Sequence, residues 1–157
     1  MKKIFFIVAL FATAFLQQSF AQDSTKTQAS LLLTTYYALK DALISSNPNA
    51  AAANAGEFLK AIDVIDKKII TPETRSTLIG DATSISLSKD IKVQREKFEA
   101  LSAHVFALAK MVKLSAEPIY QQYCPMKKAS WLSNNQAIKN PYYGNAMLTC
   151  GNIKETL

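Results

Sequence analysis

The chain is short of the residues that most enzyme chemistry needs. Its 157 residues carry one histidine, two cysteines and four glycines. A single histidine, His104, excludes a zinc site built from two or three histidines of one chain. There is no Gly-x-Ser-x-Gly elbow, no His-Glu-x-x-His, no phosphate-binding glycine loop and no Cys-x-x-Cys-His haem attachment. Carboxylates occur in pairs, Asp63 with Asp66 and Glu96 with Glu99, each accompanied by lysines (Lys67, Lys92, Lys97), and read as solvated helix faces instead of acid–base dyads or calcium ligands. A nucleophilic pair of Cys124 or Cys150 with His104 has no local sequence signature behind it. The expectation is a protein that is not an enzyme and has no catalytic residues.

Long apolar runs are scarce as well. The one present, Ile4 to Leu16 broken by Thr13, follows Lys2 and Lys3 and precedes Ser19-Phe20-Ala21, whose small residues suit a cleavage site. That is the pattern of a signal peptide over residues 1–21, cleaved after Ala21, and its apolar part is short for a membrane span. The expected mature chain, 22–157, has no membrane span and is exported, periplasmic or secreted. Its 16 basic and 12 acidic residues leave +4, with no block of like charge. So mild a balance argues against nucleic acid as a partner.

What the mature chain does have is helical periodicity. Leu32, Tyr36, Leu39 and Leu43 recur at steps of four, three and four, and Asn47-Pro48 closes the run. Phe58, Ile62, Ile65 and Ile69 repeat the spacing in a second helix. Thr71-Pro72 is a helix start, with threonine as cap and proline in the first turn. Gly80 and the β-branched, serine-rich run 83–88 weaken this third helix. Ser88 is placed to cap a fourth, with Ile91, Phe98, Leu101, Val105, Leu108 and Val112 on one face. Strand signals are nearly absent: Ser84 to Leu87 alternates, too briefly to count. The expected fold is all-α, an antiparallel bundle of about four helices (22–114) in a single domain, with an irregular tail (115–157) packed on it.

The tail concentrates sulfur and aromatic rings. Cys124-Pro125-Met126 and Met147-Leu148-Thr149-Cys150 put a methionine within three residues of each cysteine. Two thiolates and two thioethers suit Cu(I) or Ag(I), with His104 or Met111 as flanking candidates. The same two cysteines, in an exported protein, suit a Cys124–Cys150 disulfide, with the methionines as filler of a small core. Tyr120, Tyr123, Trp131, Tyr142 and Tyr143 form either a docking surface or the plug that seats the tail on the bundle.

These residues also carry a resemblance. Cys124-Pro125-Met126, Trp131-Leu132-Ser133, Asn140-Pro141-Tyr142-Tyr143-Gly144 and Met147-Leu148-Thr149-Cys150-Gly151 resemble a family of uncharacterised exported bacterial domains. That family also occurs appended to periplasmic adaptor subunits of heavy-metal efflux pumps. The Cys-Pro-Met core is similar to short heavy-metal-binding modules, although Tyr123 and Lys127 stand where some of those carry histidine. The resemblance implies a helical periplasmic domain with a copper or silver role and an adaptor or efflux component as partner. Metal binding and the disulfide both remain open at this point.

Overall fold

A computed structural model describes residues 26–157. The signal peptide read at 1–21 lies outside the described residues. Helix α1 covers 26–44, and α2 Pro48–Val64, α3 Pro72–Ser86 and α4 Ile91–Met111 follow. Strands β1 (Tyr120–Cys124) and β2 (Ala129–Ser133), a 3₁₀ turn (Gly144–Met147) and strand β3 (Asn152–Thr156) complete the chain.

The helix boundaries follow local chemistry. Asn47 both ends the first run and caps the next helix, its side chain accepting from the Ala50 N–H at 3.0 Å. Thr71 caps α3 through the Thr74 N–H, with Pro72 in the first turn, as its sequence predicts. The cap of α4 is Asp90, not Ser88: Asp90 accepts from Lys92 N–H at 2.8 Å, while Ser88 Oγ accepts from Asp90 N–H just outside the helix. The second helix stops at Val64. Ile65, Ile69 and Ile70 are buried in the connection that follows, so their apolar spacing continues beyond the helix that it suggests.

The all-α expectation is overturned. The tail forms a three-stranded antiparallel sheet of order β2-β1-β3, making the fold mixed α/β. These strands escape the usual signals for physical reasons. In β1 the inward residue Gln122 is polar yet fully buried, and β3 is an exposed edge strand, Asn-Ile-Lys-Glu-Thr. Neither shows the apolar–polar alternation that marks a half-buried strand. Each strand is five residues long and is held by pairing with its neighbours more than by its own propensity.

One core runs through both layers. Tyr36 of α1, Phe98, Leu101 and Val105 of α4, and Trp131 and Leu132 of β2 are all buried in it. Tyr36 stacks on Phe98 at 5.4 Å, Phe98 meets Tyr142, and Tyr142 meets Trp131 edge-on at 6.0 Å. The Tyr36 hydroxyl bonds Ser102 Oγ at 2.7 Å and accepts the Leu132 backbone N–H at 3.0 Å. One phenol thus joins α1, α4 and the sheet. Among the described residues no helix is long and apolar enough to cross a membrane.

Candidate functional site

The sheet brings the two cysteines together. Cys124 ends β1, and the tight turn 125–128 returns the chain to β2, with Lys128 N–H donating to the Cys124 carbonyl at 2.8 Å. Cys150 stands two residues before Asn152, which pairs with Tyr123. It therefore lies beside Cys124 on the other flank of β1. The Sγ atoms are 3.5 Å apart, and both residues are free thiols. Cys124 is fully buried, whereas Cys150 is partly exposed.

Three features hold this arrangement. Asn140, wholly buried, donates from its side chain to the Cys150 carbonyl at 2.8 Å and accepts the Tyr142 N–H at 2.9 Å. Gly151 must be glycine, because a Cβ there would come within 2.9 Å of the Trp131 ring and 3.0 Å of the Tyr123 carbonyl. Lys127 ties the turn to α4 through Glu99 at 2.9 Å. The sulfurs are thus positioned by packing and hydrogen bonds on both sides, not by a floppy tail.

The two thiols are not equivalent. Burial raises the Cys124 thiol, but the Lys127 backbone N–H at 3.4 Å, the Cys150 thiol, the Asn140 side chain and the Met126 N–H together outweigh it. Its pKa falls below the ordinary cysteine value. Donation to Cys124, then burial, then the charge on Cys124 raise Cys150. Of the two sulfurs, Cys124 is the one whose thiolate its surroundings favour.

The other sequence-selected residues fall in different places. Met126 sits in the exposed hairpin turn at 65% exposure, and Met147 is half-buried at the end of the 3₁₀ turn, three residues before Cys150. Both methionines accompany the cysteines at this end of the sheet. His104 does not join them: its Nδ1 is 2.6 Å from Asp81 Oδ2 of α3, in a shallow pocket shared with Met111. Of the aromatic set, Trp131 and Tyr142 are buried and Tyr120, Tyr123 and Tyr143 half-buried, so the first two present no open face for docking. Among the described residues no group of three or more histidine, cysteine, aspartate or glutamate side chains is placed to hold a metal ion. Any metal here rests on the two cysteines and on methionine.

The family model described as "Protein of unknown function (DUF3347)" matches residues 32–117. The chain belongs to this family. The matched span runs from within α1 through α4 and ends before β1, so the helical body carries the DUF3347 membership and both cysteines lie beyond it. No curated protein and no solved structure matches the chain. Sequence reasoning missed Asn140 and Gly151 as parts of the site. Both stand within the sequence pattern that drew attention, but their role depends on β3 returning beside β1, which no local signal announces.

Proposed function

We propose that this DUF3347 protein binds a soft monovalent ion, Cu(I) or Ag(I), as an exported, non-enzymatic accessory of heavy-metal handling. Cys124 and Cys150 supply the thiolates, with Met126 and Met147 as thioether ligands. The observation that carries the reading is the 3.5 Å separation of two free sulfurs with a methionine close in sequence to each. Soft donors select Cu(I) over the hard cations that carboxylates would take. With metal–sulfur bonds of about 2.3 Å as a yardstick, two thiolates on one ion stand at most about 4.6 Å apart. A small outward shift of the half-exposed Cys150 therefore seats an ion without disturbing buried Cys124. The periplasmic setting and an efflux adaptor as partner rest on the signal-peptide pattern and the family resemblance. Native mass spectrometry of reduced protein offered excess Ag(I) tests the reading: one tightly held ion supports it, and an unloaded protein refutes it.

The same 3.5 Å favours one second reading. A disulfide needs sulfurs at about 2.05 Å, a closure of about 1.5 Å here. Bridging positions 26 apart in sequence would contribute ~3.5 kcal/mol in the chain-entropy model and make the tail a purely structural or interaction module. Protein recovered from its own compartment with no free thiols and a mass two daltons low would favour that module.

A further inference from the structure

A second feature lies across Lys127 from the sulfur pair. A groove of about 350 Å³ runs between α4 and the Tyr142–Ala146 segment, lined by Lys92, Arg95, Glu96, Lys127, Tyr143 and Ala146. Arg95 is fixed in it. Its Nε donates to the Pro141 carbonyl at 2.9 Å, and its Nη2 donates to the Leu43 carbonyl at 2.8 Å and to Ser46 Oγ at 2.9 Å. Gly144, at φ 55°, packs so closely on Nη2 that a Cβ there would lie 2.5 Å away. All these acceptors are neutral. Among the described residues Arg95 has no carboxylate partner, and its Nη1 has no hydrogen-bond partner.

A guanidinium drawn partly out of water without a counter-ion is costly, and here burial alone lowers its pKa. Neighbouring charge does not remove the imbalance. Lys127 pairs with Glu99 and also feels the charge of Glu96, so among the groups lining the groove Lys92 and Arg95 leave positive charge in excess. A guanidinium held rigid through Nε and Nη2 keeps its Nη1 N–H groups free, and these are placed to donate a charge-assisted hydrogen bond to one oxygen of a carboxylate or phosphate. The groove is larger than a bare ion needs and has Tyr143 along one wall.

The geometry points to an oxoanion site in this groove, with Arg95 and Lys92 as its charged contacts and a small molecule bearing a carboxylate or phosphate as its ligand. The site stands independently of metal binding at the cysteines.

The test is a titration of the mature, folded protein with sodium phosphate, sodium acetate and sodium citrate, against sodium chloride at matched ionic strength. Two-dimensional NMR follows the Arg95 side-chain Nε–H and the Lys92, Tyr143 and Ala146 amides. Saturable shifts confined to these groups, with phosphate or with a carboxylate but not with chloride, support the site, and which anion saturates first names the group recognised. Lys92→Gln, at an exposed helix position that leaves the fold intact, should weaken binding about fivefold, the worth of one partly exposed charged contact. Lys60→Gln, on α2, should leave it unchanged. Shifts that chloride reproduces, that never saturate, or that Lys92→Gln leaves untouched overturn the proposal.

Discussion

The Asn140 side chain donates to the Cys150 carbonyl at 2.8 Å, and through that bond a buried amide fixes the half-exposed cysteine against the buried one. Asn140 also lies against Cys124, where it helps to hold the thiol below its ordinary pKa. Asn140→Ala should therefore do two separable things. Loss of its buried hydrogen bonds should destabilise the fold by about 1–3 kcal/mol. It should also move the pH profile of thiol alkylation upwards towards an ordinary cysteine, measured under conditions where the variant is still folded. A stability loss with an unchanged profile contradicts a role at the sulfur.

Gly151 offers a purely steric test. Gly151→Ala puts a methyl against the Trp131 ring and the Tyr123 carbonyl, both buried or backbone, and neither can move cheaply. The expected cost is about 1–3 kcal/mol, typical of overpacking, read from the urea midpoint by tryptophan fluorescence. An unshifted midpoint means that β3 does not return past Trp131 as described.

Tyr36 joins the helices to the sheet. Tyr36→Phe leaves the Leu132 N–H and Ser102 without their partner in a dry interior, at a cost of about 1–3 kcal/mol. Chemical denaturation of the variant beside the wild type measures it.

The same phenol predicts how stability changes with alkali. Burial raises Tyr36 and Tyr142 above the ordinary phenol pKa, and burial followed by the proximity of Tyr36 raises Tyr37. A phenol whose folded pKa lies above its unfolded one contributes its full stabilisation below about pH 10, and loses it as pH rises past that value. Cys124 has the opposite sign, its contribution growing as pH climbs through its lowered folded pKa and levelling off above the unfolded one. Denaturation midpoints should thus rise modestly towards the thiol range and fall steeply beyond pH 10.

How much of this was legible from sequence differs from element to element. The α1 stripe of Leu32, Tyr36, Leu39 and Leu43 and the Thr71-Pro72 start are local signals, and all four stripe residues are buried where their spacing puts them. The Ile65 and Ile69 spacing misleads because burial in a loop leaves the same trace as burial on a helix face. The sheet was not legible. Gln122 is buried because its amide serves the carbonyls of Asn135, Gln136 and Ala137, a non-local reason that polarity alone conceals. The sulfur pair was visible in part: the cysteine–methionine spacings single out Cys124 and Cys150 together with Met126 and Met147. Only the β1–β3 pairing explains why Cys124 and Cys150 meet, while the packing of α3 against α4 keeps His104 with Asp81.

Competition for Cu(I) tests the central claim, that Cys124 and Cys150 form one soft-metal site, most directly. Reduced mature protein and its Cys124→Ser/Cys150→Ser variant are titrated with a chromogenic Cu(I) chelator under anaerobic conditions. The wild type should retain one Cu(I) at chelator concentrations that strip the variant completely, with Met126→Leu and Met147→Leu falling between them. Equal loss of copper from the wild type and the double-cysteine variant contradicts the claim.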